Sequence, residues 1–227
     1  MKMKYIVSVL FLSLCSIATQ AQSQNVPTKP DGVQEKKEQK IKFTGGPLLE
    51  TNLSNFIHSG IKDGISNMKF GVSAGGFLNL GISKPFSVQG EMIFHYKTSD
   101  FSWDNSIGNY QYCGVEIPIY AMYHYVFSKG DRIHIGIGPY TEFGFGASLK
   151  RNGVKADLYE KNGETKLSAL SESNSGFGIK MGYEFIAGLQ INATYKLSVT
   201  NFLDANSSTA KILPQAISLG VAYRFGK

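Results

Sequence analysis

Four glutamates, Glu91, Glu116, Glu142 and Glu184, are the residues of this chain best placed to do chemistry. Glu116 and Glu142 stand on either side of Lys129-Gly130, so a hairpin centred on that pair brings them opposite each other to within ~2 residues. Paired carboxylates serve as general acid and base, because mutual repulsion raises the pKa of one of them. The same alternating positions also carry Lys69, Lys97, Lys180, Lys196, Arg132 and Arg224. Acids and bases in such proportion favour an interior ion-pair network that fills a lumen, built from Glu91, Glu116, Glu142, Lys180, Glu184, Lys196 and Arg224, over a catalytic dyad.

The histidines lead to a similar conclusion. His124 and His134 flank one short turn and are expected as lumenal neighbours. His95 lies toward the far end of its own strand, and at ~3.3 Å per residue it is too distant to share a metal with them. A lipid-modifying enzyme would need Ser and His together, for which His95 with Ser99 or Ser102 is the available set. Gly136-Ile137-Gly138 and Gly144-Phe145-Gly146 lie inside a strand pattern, with no following helix to hold a phosphate. No catalytic residue, metal or cofactor is assigned.

These side chains need strands to position them, and the pattern supplies them. From Arg132 to Ala147 every second residue is apolar: Ile133, Ile135, Ile137, Pro139, Thr141, Phe143, Phe145 and Ala147, with Thr141 the exception. The alternate set is Arg132, His134, Gly136, Gly138, Tyr140, Glu142, Gly144 and Gly146. Strand side chains alternate faces with period two, so this is one long strand with an oily and a small, polar face. Eight such segments are expected, at 41–53, 68–82, 86–99, 110–127, 132–147, 176–185, 189–200 and 212–225.

Short connections (83–85, 128–131 and 186–188) alternate with long polar ones (54–67, 100–109, 148–175 and 201–211). That is the arrangement of an up-and-down transmembrane barrel with short periplasmic turns and long extracellular loops. Within the longest loop, Asn162-Gly163 favours a two-residue hairpin that extends the flanking strands, with ten strands as the other option.

The ends of the chain fit export. Lys2 and Lys4 precede the apolar run Tyr5 to Leu14, and small residues at Thr19 and Ala21 suit cleavage after Ala21. Residues 1–21 are read as a signal peptide, 22–40 as a flexible periplasmic tether and 41–227 as the barrel. Cleavage would leave Cys113 as the only cysteine, so no intrachain disulfide is expected. The net charge of +6 includes no basic run interleaved with aromatics, which argues against nucleic acid as a partner.

A soluble lipocalin-like barrel would also alternate. Its water-facing side would be dense in Lys and Glu, whereas here that set is rich in Gly, Ser, Asn and Thr, suited to a crowded lumen. The oily set carries Phe86, Tyr123, Tyr125, Phe127, Tyr223 and Phe225 near strand ends, where an interfacial girdle lies. Ile133, Ile135, Ile137, Phe143 and Phe145 are accordingly expected to meet lipid; a buried apolar row would mean a soluble barrel.

At this level of detail the chain resembles the PorT-like outer-membrane β-barrel family of Gram-negative bacteria. The resemblance lies in residues 70–77, 88–94, 115–119, 135–140 and 195–201, and in the closing Gly220-Val221-Ala222-Tyr223-Arg224-Phe225. It departs at the end, where Gly226 and Lys227 follow the terminal aromatic position. The resemblance implies an integral outer-membrane protein, with secretion-linked roles in a few members. The expected function is structural or interactive and non-enzymatic, with outer-membrane lipid and envelope proteins as partners. A lipid-modifying barrel enzyme is the alternative, ahead of the soluble carrier.

Overall fold

Each two-faced segment exposes backbone N–H and C=O groups along both edges, and the fold is the way those edges are paired. The structure, a computed structural model, describes residues 42–59, 65–103, 106–151, 153–160, 170–201 and 211–226. The leader, the tether and the Asn162-Gly163 turn lie outside the described residues, and of Phe101, Ser102 and Trp103 only the backbone is described.

The strands are β1 (Lys42–Ser59), β2 (Ile65–Gly81), β3 (Phe86–Trp103), β4 (Ser106–Val126), β5 (Arg132–Arg151), β6 (Val154–Asp157), β7 (Ser173–Glu184), β8 (Leu189–Ser198) and β9 (Lys211–Tyr223). They form one antiparallel sheet in the order β4-β3-β2-β1-β9-β8-β7-β5-β6, closed by pairing of β4 with β5. Leaving aside the short β6, this is a closed eight-stranded up-and-down barrel. The seam pairs β1 with β9 from Leu48↔Ala222 to Ser59↔Lys211. Phe225 extends the seam through hydrogen bonds with Gly45.

The strands outrun the sequence pattern at the long-loop end. The expected loop at 100–109 is mostly strand, because β3 runs to Trp103 and β4 starts at Ser106. β1 and β2 likewise absorb much of 54–67. Polar composition marked the end of the lipid zone, whereas the ladder continues wherever a partner strand satisfies the backbone. The extension of β5 is turned back at Gly153, whose φ of +82° belongs to the left-handed region, and β6 pairs with residues 148–151.

One register break revises the strand that organised the pattern. Between Cys113↔Gly146 and Gly114↔Gly144, Phe145 is an extra residue on β5. Such a bulge reverses the alternation beyond it. Ala147, expected on the oily face, therefore turns inward and is 2% exposed. Lys69, expected inside, sits beside a second irregularity on β2 and reaches Asp100 at 2.7 Å in a partly exposed position.

The apolar row points outward. Ile133, Ile135, Ile137 and Phe145 are 46%, 46%, 58% and 67% exposed, and Phe143 is half-buried. Cys113 is exposed on the same outer face. A soluble barrel would have buried this row. At the short-turn end, outer-face aromatics touch in pairs: Phe86 with Tyr123, Tyr125 with Phe127, and the half-buried Tyr183 with Phe185.

An arginine at Ile137, near the middle of this band, should destabilise the folded barrel by about 2–4 kcal/mol. Equilibrium unfolding in lipid vesicles measures it, with Ile137→Leu as the neutral comparison. A harmless Ile137→Arg would show that this face does not meet lipid.

Candidate functional site

The narrow lumen holds the acids and bases in three tiers. The local rule is simple: inward positions on β1, β3, β4, β5, β7 and β8, with Arg224 just after β9, carry the charged side chains, and inward glycines give large neighbours room. A Cβ on Gly176 would lie 2.7 Å from the Tyr140 ring, and one on Gly136 would lie 2.2 Å from the Met122 sulfur.

Nearest the short turns, Glu184 accepts from Arg132 Nε at 2.9 Å, from Arg224 Nε at 2.7 Å and from Gln190 Nε2 at 2.8 Å. His124 and His134 are register partners, with ring centroids 6.0 Å apart. Each has its own polar neighbour: Ser87 Oγ lies 2.6 Å from His124, and Asn192 Oδ1 lies 2.7 Å from His134. The two histidines fill the lumen as separately hydrogen-bonded groups.

In the middle tier Lys180, buried, donates to Glu91 at 2.5 Å and lies 3.8 Å from Glu50. Gln89 also donates to Glu91, at 2.7 Å, and the Lys180 ammonium sits 5.8 Å from the Tyr120 ring centre. Glu50 was absent from the sequence-derived set. Its strand sets Leu48, Glu50 and Asn52 on one face, and the leading leucine concealed the lumenal parity.

The upper tier contains the carboxylate pair. Glu116 is the direct register partner of Glu142. Neither is a free acid. Lys196 donates to Glu116, and Lys97 donates to Glu142 at 2.5 Å while lying 4.0 Å from Glu116. His95, expected beside Ser99 or Ser102, instead meets Ser73: Oγ is 2.6 Å from Nδ1. Asn52 donates to that same hydroxyl at 2.8 Å, which directs the serine proton toward Nδ1 and leaves the ring N–H on Nε2. Nε2 lies 3.3 Å from Glu116, at an angle outside hydrogen-bond geometry.

His95, Glu116 and Glu142 are thus close enough to be considered as metal ligands. Their chemistry argues otherwise, since both carboxylates already hold ammonium groups and a divalent ion would have to displace them.

Among the described residues, Glu50, Glu91, Glu116, Glu142 and Glu184 face Lys97, Lys180, Lys196, Arg132 and Arg224, equal in number and opposite in sign. Burying charge in low dielectric is tolerable only when it is neutralised in this way. The lumen also contains apolar packing that a purely polar interior would lack. Leu48, Phe77, Ile93 and Ala222 form one cluster, and Tyr110, Tyr112, Ala147 and Leu170 form another beneath Leu158 and Tyr159. Burial and the carboxylate of Glu142 push the Tyr159 phenol pKa up, so the phenol stays neutral in this cap. The cavity lined by Lys97, Glu116, Glu142 and Lys196 has a volume of about 30 Å³, enough for one or two waters.

Lys196→Met should strand the Glu116 carboxylate and cost about 3–5 kcal/mol, whereas Lys196→Met combined with Glu116→Leu should recover most of that loss. Denaturant midpoints in one lipid mixture measure both. A double variant as unstable as the single one would show that the pair is not the unit of stabilisation.

The family model described as "Outer membrane protein beta-barrel domain" matches residues 20–204. No curated protein matches the chain. Among solved structures, OprG from Pseudomonas aeruginosa is 10% identical with a TM-score of 0.49, covering 82% of this chain and 97% of its own. Neisserial surface protein A is 13% identical with a TM-score of 0.46, covering 81% of this chain and 97% of its own. The outer membrane enzyme PagL is 9% identical with a TM-score of 0.38, covering 77% of this chain and 98% of its own.

Proposed function

Because the chain belongs to the outer membrane protein beta-barrel domain family, we propose that it acts as a non-enzymatic structural or interaction protein whose plugged barrel anchors exposed hairpins at the cell surface. The observation that carries this reading is the lumen: each tier is occupied by paired charges and packed apolar groups, and the cavity among them takes one or two waters. A lumen so filled supports a structural or interaction role over conduction. Export through the leader at 1–21 and a periplasmic tether at 22–40 complete the proposal, with envelope proteins as partners of the hairpins or the tether. The PorT-like motifs extend it to a role associated with secretion or envelope assembly.

One specific arrangement favours a second reading, a lipid-directed enzyme. Ser73, His95 and Glu116 follow one another in the order of a nucleophile, a base and an orienting acid. Against it, Ser73 is 2% exposed, faces the lumen and is engaged by Asn52.

The purified full chain should migrate differently on a denaturing gel before and after boiling, and should require detergent for extraction. Recovery as a detergent-free periplasmic protein would sink the membrane reading. Strains carrying Ser73→Ala or His95→Ala should keep the parental lipid profile; a modified lipid that disappears in both would favour the enzyme instead.

A further inference from the structure

The ten paired charges of the lumen cancel, so the chain's net charge of +6 is carried by residues outside that set. One part of that excess occupies a defined place in the fold. In the β5–β6 hairpin, Lys150 is the direct register partner of Lys155, and the neighbouring Arg151 pairs with Val154. Opposed residues share a face with Cβ atoms ~5 Å apart, and like charges so placed repel. Lys150, Arg151 and Lys155 are all exposed.

The direction of that face follows from the bulge. Ala147 is turned inward beyond Phe145, so Lys150 points away from the barrel axis, and Lys155 opposite it does the same. No ion pair joins either lysine to a carboxylate among the described residues. The acid two residues beyond Lys155, Asp157, turns back to accept from the Tyr159 backbone N–H at 2.9 Å.

Height supplies the second constraint. Phe145 is the last exposed aromatic on the outer face of β5. Five further residues on a tilted strand raise Lys150 by about 12 Å. A lysine stem can lean ~6 Å back toward the apolar surface. Two ammonium groups therefore reach the headgroup layer, which adds several ångströms to the hydrocarbon on each side.

We propose that Lys150 and Lys155 form a clamp for the phosphate groups of outer-leaflet lipid headgroups. The phosphate supplies the negative charge that the lysine pair lacks within the described fold, and two cations at this spacing bridge one dianion. The proposal rests on the reading that the long hairpins face outward.

The test uses the full chain folded in an uncharged glycoside detergent, titrated with bisphosphorylated lipid A, its dephosphorylated form and inorganic phosphate. Bisphosphorylated lipid A should bind most tightly, and its affinity should fall as salt rises. The double variant K150Q/K155Q should weaken that binding about tenfold, the loss expected for one charge-assisted contact. Lys129→Gln, at a turn on the opposite end, should leave it unchanged. Equal binding by the wild type and the double variant, or equal binding of the two lipid A forms, would overturn the clamp. Inorganic phosphate competing as well as the lipid would reassign the site to free phosphate and overturn the lipid assignment. Heat-modifiable migration of each variant separates the two claims: its loss in the wild type counts against the barrel reading, and retained migration with unchanged binding counts against the clamp alone.

Discussion

Closure of the backbone ladder is the constraint from which the rest of this molecule follows. In hydrocarbon there is no water to satisfy an open strand edge, so β1 has to find β9 and β4 has to find β5. With eight strands the ring so formed is narrow. Its inward side chains share a space too small for bulk water, which leaves two ways to fill it: neutralised polar groups or packed apolar ones. Both are present. Lys180 and Lys196 are buried only because Glu91 and Glu116 reach them across the lumen, while Phe77 and Ile93 occupy inward positions that a water-filled channel would give to polar residues.

The same constraint separates wall from display. The ion pairs are held by strands and are committed to one another, and together they fill the lumen. Above the apolar band the lipid constraint lapses, and the chain is free to bulge, turn and reverse its faces. The bulge at Phe145 does two things at once: it directs Ala147 into the cap cluster under Leu158 and Tyr159 and directs Lys150 outward. A single extra residue thereby joins the sealing of the lumen to the composition of the outer surface.

How much of this was legible in the sequence depends on the range of the interaction. Alternation along Arg132–Phe145 identified the outward row, and the Lys129-Gly130 turn identified Glu116 and Glu142 as opposite residues, because strand period and hairpin register are local properties. The same reasoning failed at Ala147, where the bulge breaks the period, and at 100–109, where polar composition hid a continuing ladder. It also passed over Glu50, whose strand mixes Leu48 into the lumenal set.

By itself, then, the sequence determined the strands, their two faces, the short turns and the approximate balance of inward charge. Only the tertiary structure decided who meets whom across the lumen: Lys196 with Glu116, Lys180 with Glu91, and Ser73 in place of Ser99 beside His95. The physical reason is that the lysine contacts cross the ring between strands that are not neighbours. Which side chains meet there depends on the curvature, tilt and stagger of the closed barrel, quantities that no local repeat in the chain encodes.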